Sequence, residues 1–375
     1  MEGVDHKPTA GAGAASRGAA PAIALSGVNK HFGPVHANKD VSLTIAKGSI
    51  HGIIGENGAG KSTLMSILYG FYQADSGTIA VDGKQRVIKS PDDAIATGIG
   101  MVHQHFMLVE PFTVLENVML GSEGGAVLAD GMSKAHAELE RLEREYSLEV
   151  DPDALVSDLP VGLQQRVEIL KALYRGAEIL ILDEPTGVLT PQEADQLFRI
   201  LATLRVQGKT IVLITHKLRE IMAITDNVTV MRRGEVVANV ATKDTDEEHL
   251  AELMVGRKVL LRVDKDAAKP GKTVLEVRGL NVVDRFGVRR VKDVSLNVRA
   301  GEIVGIAGVS GNGQSQLLAA LAGIHPPDRG EIMINGKDVR AHGAVDAADM
   351  RHLGLAHVPE DRLHEGLVLS LIHIS

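Results

Sequence analysis

The sequence of 375 residues contains no cysteine, which excludes disulfides and thiolate metal sites and fits a reducing compartment. It also lacks any apolar run of the roughly 18 to 20 residues that a membrane-spanning helix needs, and its start, MEGVDHKP, lacks the basic and apolar pattern of a signal peptide. An excess of basic charge is absent too, since the net charge is −8. That balance argues against the broad basic surface of a general nucleic-acid binder. We therefore expect a cytoplasmic chain with no nucleic-acid partner.

The length is sufficient for two domains, and an internal repeat supports that division. The stretch KDVSLTIAKGSIHGIIGENGAGKSTL, residues 39–64, recurs as KDVSLNVRAGEIVGIAGVSGNGQSQL, residues 292–317. The same offset relates SGTIAVDGK, which begins at Ser76, to RGEIMINGK, which begins at Arg329. A repeat of this length indicates duplication of a whole domain.

The segments outside the repeat set the predicted domain boundaries. The first residues are rich in Ala and Gly without apolar periodicity, which is typical of disorder, and KVLLRVDKDAAKPGK mixes charge with Pro and Gly as linkers do. The closing LSLIHIS matches one reading frame of a transposon-end adapter used in sequencing libraries, so we interpret it as adapter-derived; a natural short strand is the alternative. The predicted organisation is a disordered tail over residues 1–22, a first domain over 23–257, a linker over 258–273, a partial second domain over 274–368 and an adapter-derived tail over 369–375.

The stretch GSIHGIIGENGAGKSTLMSILYG, residues 48–70, joins an apolar strand to a Gly-rich turn and then to helical spacing, which is the context that a Walker A loop requires. Its glycines let backbone N–H groups turn toward phosphate, and the following helix adds its positive N-terminal end. Lys61 is predicted to neutralise the β- and γ-phosphates of ATP, and the Ser62 hydroxyl to ligate Mg²⁺. A purely structural glycine turn is the alternative. The residues predicted to bind ATP in this loop are Gly55, Glu56, Asn57, Gly58, Ala59, Gly60, Lys61, Ser62 and Thr63.

Two further strands end in residues suited to phosphate chemistry. EILILDEP, residues 178–185, is a short apolar run of buried-strand type that ends in two acids. Asp183 is predicted to hold the Mg²⁺ shell, and Glu184 to orient or deprotonate the water that attacks the γ-phosphate. TIVLITH ends in His216, which can bond the γ-phosphate and position that water. Taken alone, His216 would be interpreted as an ordinary histidine at a strand end.

The order of the motifs resembles that of an ABC-transporter ATPase subunit: Walker A, VHQ, a motif before QQRVEILKAL, then ILDEPT and ITH. The resemblance covers residues 23 to about 368. It implies an α/β fold of the P-loop NTPase class, an ABC-type nucleotide-binding domain with an antiparallel β subdomain and a helical subdomain, followed by the N-terminal part of a second such domain. It also implies that Phe32, in KHFG, stacks on adenine and that Gln104 contacts Mg²⁺ and senses a transmembrane partner.

The region from about 90 to 173 resembles the helical subdomain that docks on a permease. Its AHAELERLEREYSL segment has the alternative interpretation of an amphipathic, solvated helix. His103 and His105 flank Gln104, but no third ligand falls at metal spacing nearby, so we assign them to packing or to contact with a permease.

The sequence departs from the family pattern in a correlated way. ABC domains work as head-to-tail pairs, in which the Walker motifs of one domain meet the signature motif of the other. The expected LSGGQ is LPVGL here, residues 159–163, Thr190 stands where the D-loop usually has aspartate, and Gln314 replaces the Walker lysine of the second domain. All three departures fall in one composite site, and a neutral amide lacks the ammonium's attraction for triphosphate. That site is predicted to bind or turn over ATP poorly. The Lys61 site keeps its chemistry but still needs a signature motif from the second domain, which is absent from this sequence, so the truncated form is not expected to complete that site alone.

Two fused domains with a degenerate second one resemble the ATPase subunits of simple-sugar and nucleoside importers. MVHQHFMLVEPFTVLENVMLG most resembles the nucleoside branch, whereas HVPEDR fits both branches. The implied function is hydrolysis of ATP with Mg²⁺ to energise uptake of nucleosides or simple sugars. The implied partners are two integral-membrane permease subunits and, indirectly, an extracytoplasmic substrate-binding lipoprotein, with the chain peripheral on the cytoplasmic face of the membrane. The alternatives are a soluble ABC ATPase acting on the ribosome or nucleic acid, and a noncatalytic binding module.

Overall fold

The computed structural model describes residues 20–104, 106–121, 128–258, 268–284, 287–309, 311–339 and 346–360. The chain divides into two compact units, residues 1–262 and 263–375. The predicted tail up to residue 19, His105, most of the predicted linker and the adapter-derived segment lie outside the described residues.

Strands of the first unit form two sheets. The strands are β1 (Ile23–Phe32), β2 (Val35–Ile45), β3 (Ile50–Ile54), β4 (Ser76–Val81), β5 (Lys84–Arg86), β6 (Ile99–Val102), β7 (Ile179–Asp183), β8 (Thr210–Ile214), β9 (Asn227–Arg232) and β10 (Glu235–Ala241). One sheet has the order β2-β1-β4-β5 and is antiparallel. The other has the order β10-β9-β3-β8-β7-β6, in which all strands but β10 are parallel to their neighbours. This pairing is the predicted antiparallel subdomain beside a P-loop core.

The centre of the parallel sheet is β3, and all five of its residues are buried. Its side chains alternate between two apolar clusters: Ile50 and Ile54 pack with the cluster that includes the helical region, and Ile53 packs with the cluster beneath the antiparallel sheet. A strand covered on both faces needs a nearly continuous apolar sequence, as IHGII provides.

Helices cover the sheets and build a separate layer. They are α1 (Lys61–Leu68), α2 (Pro91–Ala96), α3 (Val114–Met119), α4 (Leu128–Tyr146), α5 (Val161–Tyr174), α6 (Pro191–Val206), α7 (Leu218–Ile224) and α8 (Glu247–Val255). Among the described residues, no helix is long and apolar enough to cross a bilayer.

The helical region predicted between about 90 and 173 contains α3, α4 and α5. Helix α4 buries Ala135, Leu139, Leu142 and Tyr146 in the same apolar cluster as α5. The segment is therefore amphipathic, with one face packed. Near the end of the first unit, α8 ends at Val255, because Gly256 takes a left-handed conformation with φ of 80°.

The second unit repeats the antiparallel sheet and the loop helix. It contains β11 (Thr273–Val283), β12 (Arg289–Arg299), α9 (Gln314–Leu321), β13 (Arg329–Ile334), β14 (Lys337–Asp338) and α10 (Ala347–His352), with the strand order β12-β11-β13-β14.

The counterpart of β3 in the second unit, residues 303–307, forms no strand. Ile303, which the repeat aligns with the fully buried Ile50, is 96% exposed. In the first unit, β3 is held between β8 and β9, whereas no strand pairs with residues 303–307 among the described residues of the second unit. The sequence repeat predicts the strand, but a strand needs partners to accept its backbone hydrogen bonds.

A buried histidine lies in the middle of β3. His51 is 1% exposed, and its Nε2 lies 2.7 Å from the Thr229 hydroxyl on β9. Burial lowers the pKa of His51 to about 4. The folded state thus keeps this imidazole neutral at pH values where an unfolded chain protonates it.

We expect this difference to lower stability in acid. Because the folded pKa is depressed, the unfolding free energy falls as the pH drops from about 6.5, where the unfolded imidazole gains its proton, toward about 4. The loss reaches about 3 kcal/mol at the lower end. Equilibrium urea unfolding, followed by circular dichroism at about pH 7 and about pH 5, measures it against His51→Gln, which keeps a polar group beside Thr229 but does not titrate. Equal pH dependence in the two proteins would contradict the assignment.

Candidate functional site

The phosphate-binding loop runs from the end of β3 to the start of α1. Gly58 and Gly60 have φ of 81° and 96°, a region that L side chains rarely adopt. A Cβ on Gly60 would lie 2.4 Å from the carbonyl oxygen of Ala37. Gly60 also caps α1 without any side-chain hydrogen bond, so the first N–H groups of the helix remain available to an anion.

Lys61 is held inside the curve of this loop. Its side chain belongs to a residue that is only 6% exposed, and Nζ donates to the carbonyl oxygens of Gly55, at 2.7 Å, and Glu56, at 3.0 Å. Burial lowers the pKa of Lys61, and the nearby charges of Glu184 and Asp183 oppose that shift. The ammonium group is thus already positioned at the loop by its carbonyl oxygens.

The two predicted acids leave the end of β7 beside the loop. Burial raises the pKa of Asp183, with the Glu184 charge adding to the effect, whereas the charge of Lys61 and a hydrogen bond from Ser62 oppose it. Ser62 and Asp183 therefore present a hydroxyl and a carboxylate oxygen side by side. These are the hard oxygen ligands that Mg²⁺ prefers, so the residues present fit that ion.

Glu184 and His216 form a close pair. The Nδ1 atom of His216, just after β8, lies 2.9 Å from the Glu184 carboxylate. Glu184 has φ of 48°, a left-handed backbone conformation, and its N–H donates to the carbonyl of Ile214 at 2.9 Å. Backbone strain of this kind is concentrated at functional sites. Here it turns the glutamate side chain toward the histidine.

The structure brings most of the predicted residues around one cavity. The cavity has a volume of about 420 Å³ and is lined by Asn57, Gly58, Ala59, Gly60, Lys61, Ser62, Thr63, Gln104, Glu184 and His216. Gly55 and Glu56 contribute through the carbonyls that hold Lys61, and Asp183 through its bond to Ser62. The cavity can hold a chain of phosphates with a water between the γ-phosphate and Glu184. The individual roles of these residues stay predictions.

Phe32 lies on the first hairpin, outside the set of residues that line the cavity. Its ring is partly exposed, with the residue 41% accessible. The edge of Tyr72 packs against it with ring centroids 5.0 Å apart, and Lys30 Nζ lies 5.5 Å from the ring centroid. An exposed aromatic with this support is suited to stacking on a base.

The second unit builds the same loop without the lysine. Gly311 and Gly313 have φ of 84° and 95°, close to the values of Gly58 and Gly60. Gln314 Nε2 donates to the carbonyl of Val309 at 3.3 Å, which is the repeat counterpart of the bond from Lys61 to Glu56. The amide thus keeps one of the lysine's two contacts with the loop and supplies no charge.

The altered signature and D-loop positions both lie at helix starts. Pro160 precedes α5 and gives it no side-chain cap, as expected where a serine hydroxyl has been replaced. Thr190 caps α6 in a capping box with Glu193, whose carboxylate accepts the Thr190 N–H at 2.8 Å. Thr190 therefore stabilises its own helix.

Several residues around the acidic strand end make contacts that their sequence motifs do not predict. The buried Gln165, on α5, donates from Nε2 to the carbonyl of Pro185 at 2.7 Å. Glu220, on α7, bonds both Thr186 and Thr215. The sequence offers one signal for each residue: Gln165 is the second glutamine after the signature position, and Glu220 is an acid on the helix that follows ITH. Neither signal indicates by itself which group the side chain contacts.

Comparison with known proteins agrees with this geometry. The family model described as ABC transporter matches residues 38–187 and 291–368. Over 349 residues the chain is 49% identical to the nucleoside import ATP-binding protein NupA of Lactococcus lactis, covering 93% of this chain and 68% of the relative. It is 48% identical to the guanosine import ATP-binding protein NupO of Bacillus subtilis, with coverage of 92% and 68%. It is 44% identical to the glucose import ATP-binding protein TsgD13 of Haloferax volcanii, with coverage of 94% and 69%.

A solved structure gives the same result for the fold. The ADP conformation of MJ1267, an ATP-binding cassette of an ABC transporter, superposes with a TM-score of 0.56 and 26% identity, covering 63% of this chain and 99% of that one. The chain therefore belongs to the ABC transporter family. It carries an ATP-binding cassette of the ATP-hydrolysing kind that powers transport.

The two loops offer a matched pair of variants. Lys61→Ala removes the buried ammonium, and we expect the affinity for Mg-ATP to fall by about 10- to 100-fold, the usual cost of losing hydrogen bonds to a charged group. Gln314→Ala should leave the main binding event unchanged, because that loop carries no cation at this position. Isothermal titration of each purified chain with Mg-ATP measures both effects. Equal losses in the two variants would show that the second loop binds nucleotide as strongly as the first.

Proposed function

We propose that this chain is the ATP-hydrolysing subunit of an importer for nucleosides, bound to a permease at the cytoplasmic face of the membrane. The cavity that joins Lys61, Ser62, Asp183, Glu184 and His216 carries this proposal, because it brings together this domain's own groups for binding a triphosphate and activating a water against its γ-phosphate. The similarity to import proteins supports it.

The residues divide the work of hydrolysis. Lys61 and the N–H groups at the start of α1 bind the phosphates, and Ser62, Asp183 and Gln104 would hold Mg²⁺, which when bound neutralises phosphate charge. Glu184 accepts a proton from the attacking water. His216 hydrogen-bonds to Glu184 and keeps its carboxylate oriented toward the γ-phosphate.

Two ATP-binding domains pair head to tail in the proposed cycle. ATP closes the pair, hydrolysis at the Lys61 site reopens it, and the degenerate composite site contributes little turnover. The loss of the serine at Pro160 and the loss of charge at Gln314 support this asymmetry.

A groove beside the helical region is the proposed seat of the permease. It has a volume of about 230 Å³, and its walls include Tyr69, Phe71 and Met107. Lys171, on α5, and Arg175, the C-cap residue of that helix, add positive charge. This combination fits a short segment that presents an apolar anchor and an acidic residue.

His103 also lines the groove, with its ring centroid 5.5 Å from that of Phe71 and 6.0 Å from that of Tyr69. These ring contacts support the assignment of His103 to packing or permease contact.

The substrate is proposed from the relatives. The nucleoside and guanosine import proteins are 49% and 48% identical to this chain, and the glucose import protein is 44% identical. We therefore favour nucleosides over simple sugars. An extracytoplasmic lipoprotein would deliver the nucleoside to the permease without touching this subunit.

Glu184→Gln tests the hydrolytic role. The amide cannot accept the water's proton, so we expect phosphate release to fall by about 100-fold or more while Mg-ATP stays bound. Phosphate release and retained nucleotide are measured on the purified chain, with Glu248→Gln on α8 as the control, since that glutamate is exposed. Hydrolysis by Glu184→Gln at the rate of the control would contradict the role.

The same variant tests transport in cells. Replacement of the chromosomal gene by Glu184→Gln is expected to abolish uptake of labelled guanosine and uridine and to leave glucose uptake unchanged. Loss of glucose uptake alone would assign the chain to a sugar importer.

A charge reversal tests the groove. Lys171→Glu places a negative charge in the groove that is expected to receive an acidic residue of the permease. Because the two negative charges repel each other, the amount of chain recovered with source-cell membranes should fall by about 10-fold. Mg-ATP affinity, measured in parallel, should stay the same. Lys243→Glu, at an exposed position, is the matched control. Equal membrane recovery of the two variants would show that the partner binds elsewhere.

A further inference from the structure

A buried polar network lies directly behind the Glu184–His216 pair. It consists of Thr186, Thr215, Lys217 and Glu220, which we call the dyad clamp. Thr186, Thr215 and Glu220 are buried, and Lys217 is partly buried. None of these four residues has a role predicted from the sequence motifs.

Glu220 is the centre of the clamp. Its carboxylate accepts hydrogen bonds from the hydroxyls of Thr186 and Thr215, the second at 3.1 Å. Lys217 Nζ lies 3.3 Å from Glu220 Oε1 and donates to both the carbonyl oxygen and the hydroxyl of Thr186, each at 3.0 Å. The Thr215 hydroxyl also accepts the N–H of Lys217 at 3.1 Å. The buried carboxylate is therefore matched by two hydroxyl donors and one ammonium, as a buried charge requires.

The clamp joins the two segments that carry the pair. Thr186 follows Glu184 by two residues, and Thr215 and Lys217 stand on either side of His216. One backbone hydrogen bond adds to the connection, since Glu184 N–H donates to the Ile214 carbonyl at 2.9 Å, and the Gly187 N–H closes a turn within the first segment by donating to the Glu184 carbonyl at 3.0 Å. Each segment is thus fixed to the other on both sides of the reacting side chains.

We propose that the clamp residues are positioning residues for hydrolysis: they set the distance and direction between the Glu184 carboxylate and the His216 imidazole. The clamp does not touch the cavity that holds the nucleotide phosphates, because none of its four residues lines it. Its loss should lower the rate of the chemical step and spare nucleotide binding. This proposal rests on the proposed hydrolytic function of the pair.

Thr186 offers a pair of variants that separates positioning from general stability. Thr186→Val keeps the shape of the side chain but removes the hydroxyl that Glu220 and Lys217 share, whereas Thr186→Ser keeps the hydroxyl and loses a methyl group. We expect Thr186→Val to lower kcat for ATP by about 10- to 100-fold, the effect of a misplacement of about 1 Å, with Mg-ATP affinity within about twofold of wild type. Thr186→Ser should keep most of the activity.

Thr203→Val is the matched control, because that hydroxyl bonds only to the Arg199 carbonyl along α6 among the described contacts. Equal loss of affinity and turnover in Thr186→Val and Thr186→Ser would overturn the proposal in favour of a purely structural role. So would a kcat of Thr186→Val equal to that of the Thr203→Val control.

A spectroscopic readout tests the clamp without turnover. Spectra of the chain with labelled histidine, assigned by comparison with His216→Gln, report the surroundings of the His216 imidazole. We expect its resonances to shift in Thr186→Val and in Glu220→Gln but not in Thr186→Ser. If the wild-type chain hydrolysed no ATP, the proposed function would fail, yet these shifts would still support the clamp. Unmoved resonances in all variants would refute it.

Discussion

The candidate site depends on the register of four parallel strands. In the central sheet, Ile53 on β3 is paired with Ile214 on β8, Ile214 with Asp183 on β7, and Val102 on β6 with Leu182 on β7. The strands therefore end at one edge of the sheet, where each is followed by a functional segment. Ligand sites of open α/β sheets lie at this carboxyl edge for the same reason. The phosphate loop, the acidic pair, His216 and Gln104 meet because four separate stretches of sequence share one register.

That register is maintained by burial. Every residue of β3 and β8 is buried, so a shift by one residue would exchange the apolar clusters on the two faces of the sheet and bring each side chain against the wrong neighbours. The second unit shows the same dependence of a strand on its neighbouring strands. Its phosphate loop keeps the left-handed glycines of the first, yet residues 302–309 pair with no strand within the described part of the chain, and Ile303 is exposed. Loop geometry is local and survives, whereas strand geometry requires neighbours.

This distinction also decides how much of the site the sequence could predict. The glycine pattern around Lys61 specifies a turn within a few residues, and the acids that end an apolar run identify the strand edge, so these features can be recognised from short segments. The contacts of Glu220 and Gln165 join segments far apart along the chain. No periodicity records which hydroxyl or carbonyl a buried acid or amide will find. Similarly, Thr190 stood out in the sequence as a departure at the D-loop, and its capping of α6 became visible only from its hydrogen bonds with Glu193.

The comparison of Lys61 with Gln314 separates two properties that a lysine combines. As a donor, Lys61 Nζ bonds two carbonyl oxygens and so helps to hold the loop closed, while as a cation it attracts phosphate. Gln314 retains one donor bond to the equivalent carbonyl, at Val309. Because the glycines set the backbone and a single donor is enough to hold the side chain against it, the loop keeps its shape without its charge. A phosphate-binding loop can therefore lose its positive charge without losing its backbone shape. In the loop of the second unit the shape is kept, and the positive charge of the lysine is missing.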